Sequence, residues 1–141
     1  MVLGMNHYQL EEYEKAEELF LMANEEYLQV YPPGHTRLGD PHLELAKLYL
    51  KTDSLGKAKE HISNAREIYG KGFSEENVKT AVATSVYGDI LSVNEEIEMA
   101  DSLLTTGMKN LRRFLSEDDG RLIEAAAALE RHQNRHGISS E

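Results

Sequence analysis

The chain has 141 residues, 40% of them hydrophobic, no cysteine and a formal net charge of −10. That length can bury a core without crosslinks, and the lack of thiols excludes disulfides and thiolate metal sites. An acidic balance argues against nucleic acid, apolar runs such as Leu19 to Ala23 are too short to span a bilayer, and the stretch from Met1 to His7 lacks a signal-peptide core, so a soluble cytoplasmic protein is expected.

The first predicted helix starts at the chain's beginning and contains Leu3-Gly4. The second begins at Tyr13, with apolar residues at Tyr13, Ala16, Phe20, Ala23 and Tyr27 in steps of three and four, one face of an α-helix. From Glu11 to Glu26 there are seven Glu against the single Lys15, read as a solvated acidic surface. Pro32-Pro33-Gly34 ends this helix. Asp40-Pro41 is expected to start the next, with an N-cap and a proline at the first helical position. That helix holds Leu45-Ala46, and the one after it carries Leu55, Ala58, Ile62, Ala65 and Tyr69 before closing at Gly70 and Gly72.

Ser74, with Glu75 and Glu76, is read as the opening of a fifth helix, which contains Tyr87-Gly88. A sixth shows Ile97, Ala100, Leu104, Gly107 and Leu111 on one face. Gly107 there is expected to tolerate alanine if its site admits a methyl. Ser116, followed by Glu117, Asp118 and Asp119, is expected to open the seventh, which carries Ala125 to Ala128.

The apolar faces superpose at intervals of 42 residues: Tyr13, Leu55, Ile97; Ala16, Ala58, Ala100; Phe20, Ile62, Leu104; Ala23, Ala65, Gly107. Leu3-Gly4, Leu45-Ala46 and Tyr87-Gly88 repeat at the same interval, and a small residue there lets two helices approach closely. A fourth pass reaches Leu129-Glu130, where the small residue is lost, as terminal repeats often depart from the pattern. The expectation is one all-α domain over 1–136, a solenoid of seven helices in antiparallel pairs. Its repeats run roughly over 1–38, 39–80 and 81–117, with a terminal helix at 118–136 and a flexible tail at 137–141.

No constellation for catalysis, metal or cofactor binding is expected. His132 and His136 lie four apart, but Gln133 follows the first and no third ligand is evident, so a surface helix end is the reading. His7, His35, His42 and His61 fall in separate elements without nucleophile partners, and Gly34 and Gly39 lack a phosphate-loop Lys. Tyr13, Tyr69 and Tyr87 coincide with packing positions; Tyr31, near a loop, is a candidate contact residue.

Ala58, Ile62 and Ala65, with Leu45-Ala46 and Tyr49 before them, resemble the second and first helices of a tetratricopeptide repeat (TPR). The common unit of that family has about 34 residues, and the 42-residue interval is similar to the longer variety found in kinesin light chains. The resemblance implies a protein-interaction scaffold or adaptor that binds a peptide or helix along a concave groove lined by the first helices. It places Glu44, Lys47, Lys51, Ser85, Asp89, Ser92, Arg131 and Arg135 on that groove, whose mixed charge implies a polar or mixed-charge partner. Glu44 and Val86 stand where kinesin light chains carry an Asn for peptide reading. Met5, Lys47 and Asp89 stand where a carboxylate clamp needs Asn, so neither recognition mode transfers.

Two further readings are an architectural segment of a longer solenoid in a stable complex and an accessory helical region of a larger enzyme. The first helix begins about four residues late relative to its counterparts, so a longer array, another chain or self-association is expected to cover the N-terminal end. Otherwise Tyr13 and Phe20 would leave an apolar patch there.

Overall fold

The computed structural model describes residues 1–138; residues 139–141, the remainder of the expected tail, lie outside them. Among the described residues seven α-helices follow one another: α1 (Val2–Gln9), α2 (Tyr13–Val30), α3 (Gly39–Lys51), α4 (Leu55–Gly72), α5 (Val78–Val93), α6 (Ile97–Phe114) and α7 (Gly120–His136). A 3-10 turn at Thr36–Leu38 precedes α3, and among the described residues all regular structure is helical. The fold is the expected all-α arrangement of antiparallel helix pairs. It divides into two compact units, Met1–Phe73 and the residues from Ser74 onward.

The backbone repeats as closely as the side chains do. The second helices of the three pairs begin at Tyr13, Leu55 and Ile97 and end at Val30, Gly72 and Phe114, each pair of boundaries 42 apart. Ahead of each stands a residue with left-handed backbone, Glu11 (φ 60°), Asp53 (φ 59°) and Glu95 (φ 64°). The next backbone N–H then reaches back to close the first helix: Glu12 to the His7 carbonyl at 2.9 Å, Ser54 to Tyr49 at 2.8 Å, Glu96 to Leu91 at 2.9 Å. Glycine usually occupies this left-handed position. None does here, so the turn leaves no glycine signal in the sequence.

In the first unit the core is built on Ala16, Phe20, Leu45, Ala46, Leu48, Ala58, Ile62, Ala65 and Tyr69, all buried. Phe20 is 0% exposed, contrary to the patch expected of it, because Gly4 of α1 lies directly over its ring. Tyr13 is half-buried edge-to-face with Tyr8, the ring centroids 5.7 Å apart. The exposed apolar residues of this unit are others: Val2, Leu3, Met5 and Leu10, then Leu21, Met22, Leu28 and Val30.

Three helix starts also differ from their expected caps. Asp40 lies inside the first turn of α3, where it accepts a 2.6 Å hydrogen bond from the Tyr69 hydroxyl; the 3-10 turn begins the helix earlier. Asn77 rather than Ser74 caps α5, accepting from the Lys79 N–H at 2.8 Å. Asp119 rather than Ser116 caps α7, accepting from the Arg121 N–H at 2.9 Å, while Ser116 donates to Asp118. At α5 and α7 several polar residues in a row can cap, and the turn geometry selects one.

The second unit packs α5, α6 and α7 together. One core cluster joins Ala81, Leu111, Leu122 and Ala125 with Val78, Val82, Met108 and Leu115; another joins Leu104, Ala128 and Leu129. Gly107 lies against α5, and a Cβ there would be 3.1 Å from the Ser85 nitrogen and 3.2 Å from the Ala81 carbonyl oxygen. Those are backbone atoms of a packed helix, so the site has little room for a methyl. Gly137 ends α7 in the left-handed conformation (φ 66°), and the Ile138 N–H closes the helix onto the Gln133 carbonyl at 2.9 Å.

Candidate interaction surface

In the first unit, α3 places Glu44, Lys47 and Lys51 three and four residues apart, on one helical face. Glu44 and Lys47 pair at 3.5 Å and are both largely covered, the Lys47 ammonium lying 5.8 Å from the Tyr8 ring centroid. Lys51 is exposed in the last turn, where the carbonyl end of the helix favours a cation.

Beside these residues, His42 of α3 and His61 of α4 meet Nδ1 to Nδ1 at 2.9 Å. Tyr49 stacks on His61 with centroids 5.5 Å apart, and the Lys57 ammonium lies 5.3 Å from the Tyr49 ring centroid. A 2.9 Å contact between two ring nitrogens requires one N–H and one lone pair, so at most one of the two Nδ1 atoms carries a proton. Burial lowers the pKa of both rings; His61 lowers that of His42 further, and Glu60 opposes. Burial, followed by the Glu17 carboxylate, pushes the Tyr49 hydroxyl up to about 12.

In the second unit, α5 turns Ser85, Asp89 and Ser92 inward, all three buried. Asp89 accepts from Arg131 of α7 at 2.9 Å. Ser92 is a hub: its Oγ accepts from the Arg135 guanidinium at 2.6 Å and lies 2.7 Å from His132 Nδ1. His136 Nε2 donates to the Ser92 carbonyl at 3.0 Å. His132 Nε2 faces Asp101 of α6 at 3.6 Å, which favours the proton on Nε2 and leaves Nδ1 to accept from the Ser92 hydroxyl. Burial lowers the His132 pKa against the pull of Asp101, with His136 and Arg135 lowering it further.

Ser92, His132 and Asp101 therefore line up in the order of a serine nucleophile, a base and a carboxylate. Yet Ser92 and His132 are both 0% exposed, and Arg135 already occupies the hydroxyl oxygen, so no substrate carbonyl can reach it. The surface helix end expected at His132 and His136 is instead a buried polar network joining α7 to α5. Its missed signal is a serine on the inner face of α5 opposite two His one turn apart. Among the described residues, no group of three His, Asp or Glu is disposed to hold a metal ion.

Of the eight residues anticipated from the sequence, the structure thus joins Glu44 to Lys47, Asp89 to Arg131 and Ser92 to Arg135. Ser85 packs against Gly107, and Lys51 projects from the end of α3. Arg131 and Arg135 keep exposed surface while their inner nitrogens are held by α5.

Two crystal structures have a similar fold: the nearly identical TPR-like repeats of a Podosopora anserina protein described as a kinesin light chain, and a single-residue variant of it. They align over 96% of the chain with TM-scores of 0.76 and 0.75 at 17% identity. The fold is TPR-like. The chain spans 64% of the length of those two chains. No family model matches the sequence, and no curated protein does. Among the described residues, no helix is long and apolar enough to cross a membrane.

Proposed function

We propose that this TPR-like chain is a protein-interaction scaffold of the 42-residue, kinesin-light-chain-like variety, presenting partner-facing residues on the first helices of its pairs and on α7. The observation that carries this reading is the bracing of Arg131 and Arg135. Each guanidinium is fixed by a buried acceptor on α5, which reduces the side-chain entropy lost when its exposed nitrogens meet a ligand. Asp89 and Ser92 are then positioning residues, and Arg131 and Arg135 contact residues. In the first unit Glu44, Lys47 and Lys51 form a second, mixed-charge patch, matching a polar or mixed-charge peptide or helix.

The test is capture of partners from cell extract, followed by titration of the partner found. Arg135→Gln and Lys51→Gln each remove an exposed cation without reversing charge. Binding is expected to weaken, and its salt dependence to shrink, with helix content unchanged. Full-strength binding by both variants would reject these patches.

An architectural role is favoured by one different observation. Leu3 is 56% exposed, whereas Leu45, its counterpart 42 residues on, is 0% exposed. A surface that the repeat pattern buries is open on α1, which is the signature of a helix built to be covered by a neighbour.

A further inference from the structure

The outer face of α2 is unlike those of α4 and α6. Leu21, Met22 and Leu28 are all exposed on it. The residues 42 and 84 positions later are Ser63, Asn64 and Gly70 in α4, and Thr105, Thr106 and Arg112 in α6. Helices of this repeat therefore form and pack with small or polar residues at those places. The repeat itself therefore does not require apolar side chains at these three places of α2.

Another repeat placed ahead of α2 would not cover Leu21 and Leu28. Within the first unit, α4 already has the α1–α2 pair before it, and Ser63 and Gly70 remain exposed, while Leu45 of α3 becomes wholly buried. Stacking of repeats thus buries the position of Leu3 and leaves those of Leu21 and Leu28 open.

The charge beside the strip identifies what fits it. Glu14, Glu18 and Glu25 share the exposed side of α2 with Leu21 and Leu28, and the single cation within α2, Lys15, pairs with Glu18 at 3.5 Å. A second copy would bring the same acidic surface. The basic outer residues Arg112 and Arg113 of α6 are engaged by Glu117 and Glu76, each at 3.3 Å. We propose that the outer face of α2 docks an amphipathic helix of a partner protein, one with apolar residues at three- and four-residue spacing flanked by lysine or arginine. Leu21 and Leu28 are two helical turns apart, about 10.5 Å, and meet anchors seven residues apart on such a helix.

The experiment titrates the full chain with a synthetic helical peptide carrying Leu at that spacing and Lys at its other positions, beside a counterpart with Glu for Lys. The chain is expected to bind the Lys peptide and not the Glu peptide. Leu21→Ser/Met22→Asn/Leu28→Gln, which keeps the net charge, should bind the Lys peptide more than about tenfold more weakly at unchanged helix content. Glu14→Gln/Glu25→Gln, which keeps the apolar strip, should weaken binding and flatten its salt dependence. Equal affinity for the Lys peptide in the apolar variant, or equal affinity of the parent chain for both peptides, would overturn the proposal. So would sedimentation showing that the parent chain dimerises through this face and the apolar variant does not, since the occupant would then be a second copy.

Discussion

Gly88 of α5 lies so close to Leu104 of α6 that a Cβ at position 88 would stand 2.8 Å from the Leu104 Cγ and 3.1 Å from its backbone nitrogen. The first pair repeats the relationship, with Gly4 beneath Phe20 and a Cβ there 2.8 Å from the ring. In the second pair the same two positions hold Ala46 and Ile62, both fully buried. A first helix thus gains its methyl where the opposing residue is neither the bulky Phe nor the γ-branched Leu. Gly4→Ala is expected to destabilise by about 1–3 kcal/mol through overpacking, and Gly4→Ala/Phe20→Ile to recover part of that loss. Thermal melts of the single and double variants measure the coupling; strictly additive effects would refute the pairing.

Gly107→Ala should also destabilise, although a helix interior normally gains from the exchange by about 0.5–1 kcal/mol. The new methyl would meet the backbone of α5 at Ala81 and Ser85, which can yield only if the helices part. A raised melting temperature would show that α5 yields easily.

Relief of backbone strain works in the opposite direction at the left-handed turns. Glu95→Gly removes the cost of holding a side chain at φ 64° and offsets it against greater chain entropy in the unfolded state. The expected balance is a gain of up to about 1 kcal/mol, seen as a higher denaturant midpoint with unchanged slope. Glu11→Gly should behave alike, because Glu11 occupies the equivalent turn of the first pair. Loss of stability in both variants would mean that the Glu side chains make contacts worth more than the strain.

Removing either member of the Asp89–Arg131 pair should not cost the same. Asp89 retains 12% of its side-chain exposure and Arg131 44%, so Arg131→Ala leaves a covered carboxylate short of a donor whereas Asp89→Ala leaves a cation that water can reach. Arg131→Ala is expected to cost about 1–3 kcal/mol and Asp89→Ala less. Denaturant titration of the two variants, with the double variant closing the cycle, gives the comparison. A larger loss for Asp89→Ala would reverse the assignment.

Acid should weaken the first unit through His42 and His61. Both have folded-state pKa values below the ordinary value of 6.5, so on acidification the unfolded chain takes up protons first. Their contribution is fully present above the ordinary value and is lost as pH falls through the folded values. His132 of the second unit acts with the same sign. The melting temperature is expected to fall between about pH 7.5 and 5, and to fall less in His42→Gln/His61→Gln. An equal fall in that variant would place the effect elsewhere.

The helix pairs were legible from residues alone because repetition at 42 positions leaves an averaged signal: Ala16, Ala58 and Ala100 are small for the same steric reason and all are wholly buried. The turns joining them were not legible, since Glu11, Asp53 and Glu95 carry side chains that seldom adopt their backbone conformation. Helix starts blurred where several capping residues stand together, as from Ser74 to Asn77 and from Ser116 to Asp119.

Residue type and spacing determined by themselves that the chain is all helical, that its helices pair, and which face of α2, α4 and α6 turns inward. Hydrophobic periodicity is a property of a single helix, so one segment suffices to display it. Tertiary structure decided which polar residues meet. Asp40 became the acceptor of Tyr69, 29 positions away, and Ser92 the hub for His132 and Arg135, 40 and 43 positions away. Burial also turned His132 from an expected surface residue into an inner one. A hydrogen bond is a matter of ångströms between side chains on different helices, and those distances exist only after the helices have packed.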